Sequence, residues 1–263
     1  MVGKLEGRVA VVVGAGQTPG RNIGNGRAVA SVFAREGARL VLVDRDRERV
    51  EETAADLDAE TVVVEVDIAS DDGPEAVVAA AVDAFGGIDV LHNNVGIGAG
   101  DGPPHRLDDD AYDLIMDVNL RSMWRTCRAA IPHLRRSEHG AIVSVSSLAA
   151  IAAAPNLTAY KLSKAGVNAL TQNLALSNAK YGVRANAIMP GFVDTPMGVD
   201  AAADHLDVDR DEYAAVRAAR VPLGRQGSAW DVANAALFLA CDDSAWITGV
   251  VLPVDGGQSA RIG

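Results

Sequence analysis

An α/β fold with a doubly wound, seven-stranded parallel sheet, formed as one domain over residues 1–263, is predicted by three features of this 263-residue sequence. Short β-branched runs alternate with polar-faced helical stretches over the whole length, the pattern of successive right-handed strand–helix–strand crossovers. A glycine-rich turn joins the first such run to the first helical stretch. No internal repeat, low-complexity tract or linker divides the chain.

The elements follow in order. Arg8 to Gly14 is a β-branched run ending in glycine, which reads as a strand buried on both faces. A helix is expected from Gly26 to Glu36, a second buried strand from Gly37 to Asp44, and a polar-faced helix from Arg45 to Leu57. Thr61 to Asp67 reads as the third strand, Pro74 to Phe85 as a helix and Ile88 to His92 as the fourth strand. A long helix, Asp108 to Arg135, precedes the strand Gly140 to Ser146, and the helix Thr158 to Lys180 precedes the strand Val183 to Met189. A last helix, Ser228 to Ala240, leads to the strand Val250 to Val254. Residues 97–107, rich in Gly and Pro, and residues 196–225 do not fit the alternation. Both follow strands at their carboxyl ends, where such sheets bind ligands, so both are candidate substrate loops, the second a lid.

Bulk properties exclude several classes. Thirty-five acidic against 24 basic residues give a formal charge of −11, which disfavours nucleic acid and anionic membranes as partners. Cys127 and Cys241 are the only cysteines, too few for a disulfide framework or metal site, and fit a reducing cytoplasm. The N-terminus lacks a secretory apolar region, and no apolar run is long enough to span a bilayer. The aspartates 200, 204, 207, 209 and 211 are expected to be solvated, with no metal role.

The turn Gly14-Ala-Gly-Gln-Thr-Pro-Gly20-Arg-Asn-Ile-Gly24-Asn-Gly26 would let backbone N–H groups approach a pyrophosphate stabilised by the following helix N-terminus. Asp44, closing the second strand, can accept from both adenosine ribose hydroxyls and would repel a 2′-phosphate, which favours NAD over NADP. Arg21 and Arg45 are the counter-indication, and Asp44 could equally cap the next helix. Asp67 is similarly placed for the adenine amino group.

Chemistry concentrates between Ser147 and Lys164. In a helix, Tyr160 and Lys164 share one face. An ammonium about 4 Å from a phenol favours the phenolate by about 4 kcal/mol at an effective dielectric of about 20. That is about 3 pKa units before desolvation is subtracted, enough to make Tyr160 a proton donor and acceptor near neutral pH. A solitary pair of this spacing would usually be an ordinary solvated helix pair.

The pair is not solitary. The glycine turn, Asp44, Asp67-Ile68, Asn93-Asn-Val-Gly96, Asn119, Ser147 thirteen residues before Tyr160, Tyr160-xxx-Lys164, and Pro190-Gly191 with Thr195 stand in one order, in which the chain resembles the short-chain dehydrogenase/reductase family over essentially its full length. The resemblance implies a Rossmann fold and a set of roles. Tyr160 would be the general acid/base, Ser147 a donor to the substrate oxygen, and Lys164 the holder of the nicotinamide ribose. Asn119 would hold a water linking Lys164 to solvent. Gly14, Gly24, Gly26, Asp44, Asp67, Ile68, Asn93, Gly96, Pro190, Gly191, Val193 and Thr195 would line the cofactor trough, Thr195 fixing the carboxamide. Three departures stand out: a first turn about six residues longer than the family's TGxxxGxG, with 17–23 as extra material and Gly20 unassigned; Val95 for the usual alanine; and Val13 for threonine. The long turn is similar to that of enoyl-acyl-carrier reductases, which separate Tyr and Lys by six residues. Leucine at 157 favours carbonyl chemistry instead.

Ile97, Leu148, Ala149, Ala154 and Phe192 are expected around the reacting carbon, with Met197, Val199 and Leu206 on the lid. These apolar residues suggest a small or medium uncharged secondary alcohol or ketone. His105 and Arg106 are the residues that could instead meet a carboxylate. The family implies a homotetramer, for which Ala129, Ala130, Ala165, Ala169 and Ala175, or the Trp246-Ile247 segment, are candidate contacts. The expectation is therefore an NAD-dependent alcohol dehydrogenase or carbonyl reductase. The alternatives are an NADPH-dependent 3-oxoacyl-acyl-carrier reductase and a nucleotide sensor without turnover.

Overall fold

The computed structural model describes residues 2–152 and 155–261. Seven parallel strands form one sheet in the order β3-β2-β1-β4-β5-β6-β7. They are β1 Val9–Val13, β2 Arg39–Asp44, β3 Thr61–Glu65, β4 Val90–Asn93, β5 Ala141–Val145, β6 Arg184–Pro190 and β7 Val251–Val254. Each had been expected within one or two residues. The order reverses between β1 and β4, where Val13 pairs with Val43 on one side and with Asn93 on the other. A crevice opens at that reversal, beyond the carboxyl ends of the strands.

Every residue of β1 is buried, because helices cover both faces and alternate side chains feed two separate cores. Ala10 and Val12 join Val29, Phe33, Leu40, Val232 and Leu239, under α1 (Asn25–Arg35) and α9 (Ala229–Ala240). Val11 and Val13 join Leu91, Ile142, Cys127, Leu134 and Leu174 on the opposite face, under α3 (Gly73–Phe85), α5 (Ser122–Leu134) and α6 (Thr158–Asn178). Each such valine or leucine contributes about 1.5–3 kcal/mol by burial. Helix α2 (Arg47–Ala55) lies along β3, its N-terminus capped by Asp46. Asp46, rather than Asp44, is thus the capping residue; Asp44 Oδ1 accepts from the Asp46 N–H at 3.3 Å.

Two segments differ from expectation. The long helix predicted over 108–135 is α4 (Asp109–Met116), a π-helical turn Asp117–Arg121, and α5. The wider turn surrounds Asn119, which is fully buried, and such π-bulges recur at functional sites. Residues 196–225, read as a loop, contain a π turn Pro196–Asp200 and two helices, α7 (Ala201–Leu206) and α8 (Arg210–Ala218). Asp200 is not solvated as expected: it accepts from Arg210 at 3.4 Å and from the Arg21 backbone N–H at 3.1 Å. Asp209 caps α8, and Asp211 pairs with Arg21. Among the described residues no cluster of ligating side chains could hold a metal ion, and no helix is long and apolar enough to cross a membrane.

Candidate active site

The glycine turn is shaped by contacts only glycine permits. Gly14 has φ +83°, and a Cβ there would approach Val95 Cγ2 to 2.8 Å. A Cβ on Gly26 would overlap the Gly14 carbonyl oxygen. Gly24 is different, since its nearest neighbour would be Gln17 Oε1 at 3.7 Å, an ordinary contact. Its place among the functional glycines rests on position: it is the N-cap of α1. Among the described residues no side chain caps that helix, and its first turn holds no acidic residue. Its leading N–H groups remain available to an anion.

Neighbouring groups tie the turn to the adjacent strands. Asp44 Oδ2 accepts from the Gly16 backbone at 2.9 Å, which fixes the carboxylate at the end of β2. Asn94 Nδ2 donates to the Gly14 carbonyl at 2.9 Å, tying β4 to the turn across the reversal in strand order. Asn93, the expected trough residue, instead aims its amide into the core at Cys127 Sγ, 3.4 Å away, because alternation along β4 sends its side chain inward. Asp67 is exposed and accepts from the Ala69 backbone, while Ile68 is buried. Arg21, a possible phosphate ligand by sequence, is turned away toward Asp211, and Gly20 packs on Pro196. The inserted turn is therefore joined to the lid.

The catalytic candidates converge. Lys164 is 2 % exposed, and its Nζ donates to the Val145 carbonyl at 2.8 Å and lies 5.8 Å from the Tyr160 ring centre. Gly96 runs directly over it, since a Cβ there would stand 3.0 Å from Nζ. Burial without a carboxylate partner pulls the Lys164 pKa down to about 8. Tyr160 is half-buried, and its phenol sits above the usual tyrosine value: burial opposes the phenolate more than a hydrogen bond with Ser147 favours it. This corrects the expectation that Lys164 depresses the phenol. The ammonium is aimed at a backbone carbonyl, and burial sets the direction of the phenol's shift. Ser146, the neighbour of Ser147, is buried and donates to the Lys164 carbonyl, so only Ser147 faces the crevice chemistry.

Among the described residues, the Asn119 side chain makes three hydrogen bonds. Its Oδ1 accepts from the Ile97 N–H at 2.8 Å, and its Nδ2 donates to the Ile97 carbonyl at 2.9 Å and to Ser163 Oγ at 3.1 Å. It clamps the start of the 97–107 loop against α6. Asp101, in the same loop, accepts from the Ala159 N–H at 3.1 Å and the Tyr160 N–H at 2.8 Å. Asp101, Ser163 and Gln258 bear on the candidate site with no mark in the sequence, and Asn94 lies within the Asn93–Gly96 motif without being singled out. Gln258 Oε1 accepts from the Phe192 N–H at 2.7 Å, beneath the Pro190-Gly191 turn.

At the far end, Thr195 is buried and its hydroxyl accepts from Gly198, capping the lid's first turn, and Val193 is buried beside it. Ile97, Leu148 and Ala149 are half-buried near Tyr160 and Ser147, whereas Ala154 lies outside the described residues. Phe192 is covered by the Arg217 guanidinium, 4.2 Å above its ring, so it serves the lid as much as any substrate. Val199 is fully buried, Met197 and Leu206 are exposed, and so are His105 and Arg106.

A parallel sheet with a glycine-lined reversal point and a Ser-Tyr-Lys cluster at its carboxyl edge defines a nucleotide-dependent oxidoreductase scaffold. Residues 21–259 match the family model described as enoyl-(acyl carrier protein) reductase. The chain is 36% identical over 259 residues to 2-(R)-hydroxypropyl-CoM dehydrogenase of Xanthobacter autotrophicus, covering 96% of this chain and 99% of that protein. The crystal structure of levodione reductase superimposes with a TM-score of 0.92 at 32% identity, over 98% of this chain and 100% of that one. Carveol dehydrogenase from Mycobacterium avium in complex with NAD gives 0.91 at 31% identity, over 98% of this chain and 100% of that one. The chain belongs to the short-chain dehydrogenase/reductase family.

Proposed function

We propose that the protein is an NAD-dependent oxidoreductase that moves a hydride between nicotinamide and an uncharged secondary alcohol or ketone, with Tyr160 as the general acid/base. The observation that carries this reading is the meeting of Ser147, Tyr160 and Lys164 at the carboxyl edge of β5, below Gly96, in a sheet whose α1 terminus is uncapped. A dinucleotide would find free N–H groups at the α1 terminus for its diphosphate, on a turn that Gly14 and Gly26 let pack closely, and Asp44 at the end of β2 for a ribose edge. A 2′-phosphate would face the Asp44 carboxylate, and Arg21 is committed to Asp211. NAD, when bound, supplies or takes up the hydride.

The chain's own residues do the rest. Lys164, protonated below about pH 8, presents an ammonium to ribose hydroxyls under the Gly96 backbone. Tyr160, held protonated at neutral pH, is poised to donate its proton to a carbonyl oxygen, and in the reverse direction the phenolate takes the alcohol proton. Ser147 orients that oxygen by a second hydrogen bond. Ile97, Leu148 and Ala149 exclude water and give the pocket its apolar character. Leu114, Trp124 and Leu162, exposed on α4, α5 and α6, favour self-association through that face. Ala130 and Ala175 take no part, being buried against the sheet.

Cyclohexanol, carveol and 2-octanol with their ketones, assayed by reduced-nicotinamide absorbance, test the reading. Turnover with NAD should fall by at least about 1,000-fold in Tyr160→Phe while NAD still binds, since the proton path alone is removed. Near-wild-type rates in that variant would refute the assignment.

A further inference from the structure

We infer that Asp101 is a positioning residue for Tyr160: a carboxylate brought from the 97–107 loop to cap the helix that carries the acid/base. The inference deepens the reading of Tyr160 above and rests on it.

Tyr160 occupies the third position of α6, within its first turn. N–H groups there have no partner inside the helix, and a first turn left uncapped frays. An N-cap side chain normally takes the N–H groups of the second and third helical residues. The N-cap of α6 is Leu157, which has no acceptor, and the first turn contains no acidic residue. Asp101 supplies what Leu157 lacks. Its Oδ1 accepts from Ala159, the second residue, at 3.1 Å, and its Oδ2 from Tyr160 itself, the third, at 2.8 Å. The partners are 58 and 59 residues apart in sequence, so this is a tertiary contact standing in for a local one.

The loop is held so that it can do this. Asn119 grips both polar groups of Ile97 at its start, and Thr158 Oγ1 donates to the Gly102 carbonyl at 2.7 Å beside Asp101. Between these anchors Gly98 passes over the phenol ring, where a Cβ would lie 3.5 Å from Tyr160 Cδ2. Backbone and ring of Tyr160 are thus located by one loop. Lys164 lies a turn deeper, buried and bonded to Val145, and is independent of that loop. Loss of Asp101 should therefore disorder the phenol and leave the lysine in place.

The test compares wild type, Asp101→Ala, Asp101→Asn and Tyr160→Phe, using whichever of the three alcohols wild type oxidises fastest. In Asp101→Ala, kcat should fall about 10- to 100-fold, as for a misplaced catalytic group, with the Kd for NADH within about 2-fold. Asp101→Asn keeps one of the two acceptor oxygens and sets its amide NH2 against the other N–H, so its kcat should fall between those of Asp101→Ala and wild type. Two readouts need no substrate. Amide exchange in a peptide spanning 157–162 should quicken about 10-fold in Asp101→Ala, with peptides from the rest of α6 unchanged. The Tyr160 phenol, isolated by ultraviolet difference against Tyr160→Phe, should titrate lower, toward an ordinary tyrosine, as it gains solvent.

Unchanged exchange over 157–162 in Asp101→Ala would overturn the inference, as would a kcat loss matched by loss of NADH affinity and exchange throughout the molecule. Turnover surviving in Tyr160→Phe would instead sink the acid/base reading, whatever Asp101 does.

Discussion

Helices α1 and α6 start alike and end up in opposite situations. Each begins without a local side-chain cap: Gly24 at one, Leu157 at the other, with no acidic residue in either first turn. At α6 the protein brings in its own carboxylate, Asp101. At α1 it brings none, and builds the approach out of glycine. The third comparison point, α9, has a complete capping box from Ser228 and Asp231 and no place in the site. On the proposed function, the terminus that holds the acid/base still is filled from within, and the one that receives the diphosphate is left open.

Gly26→Ala is the severest way to break this comparison. The new methyl would overlap the Gly14 carbonyl, backbone against backbone, where no side chain can move aside. A loss of stability above about 3 kcal/mol is expected, with dinucleotide binding abolished. Thermal melting and NADH fluorescence titration would show it, and Gly24→Ala, where the methyl has room, should cost less than about 1 kcal/mol. Equal damage from the two would mean that the turn is not shaped by close approach.

Gly24→Asp sharpens the contrast by giving α1 the kind of carboxylate α6 already has. The free protein should gain about 1 kcal/mol from capping and helix-dipole interactions. NAD affinity should meanwhile fall by at least about 10-fold, because the carboxylate would occupy and repel the diphosphate position. A raised melting temperature with unchanged NAD affinity would show that the diphosphate sits elsewhere. Asp44→Ala asks the same question at the ribose: the NAD over NADP preference should shrink by about 10-fold in Kd ratio, and an unaltered ratio would remove Asp44 from cofactor choice.

The two termini were also unequally legible in the sequence. Strand positions, the reversal in strand order and the α1 turn follow from hydrophobic runs and glycine spacing, which are local signals. Ser147, Tyr160 and Lys164 stand out as candidates because their spacing is local too. Asp101 carries no such mark, since its partners lie 58 and 59 residues away and only the folded loop brings them together. Asn93 and Asn94 show the limit in miniature: one strand residue points into the core and its neighbour into the site, and the sequence alone does not set that phase. Gly24 and Gly26 look equivalent as letters, yet only one is sterically obliged. The lid helices α7 and α8 were missed because acidic, Gly-flanked segments read as loop. The Tyr160 phenol lies above its usual value because of burial, which a spacing does not reveal.

The smallest expected effect separates the two termini by pH. The α1 end contributes only backbone N–H groups and does not titrate near neutrality. Beside α6, Lys164 has its pKa lowered to about 8 by burial. If Lys164 holds the nicotinamide ribose as proposed, its ammonium attracts the anionic dinucleotide below that value, and the attraction is lost above it. NADH affinity should therefore weaken a few-fold, about 3-fold, between pH 7 and pH 9.5. The same lowered value has a sign for stability. The unfolded lysine keeps its proton up to about 10.4, so between pH 8 and that value the unfolded chain binds more protons and folding gains from rising pH. Binding and stability thus move in opposite directions over one window. Lys164→Met should flatten the affinity profile at its weak, high-pH level without shifting what α1 provides. A wild-type profile that is flat from pH 7 to 9.5 would mean that the lysine's charge does not reach the cofactor.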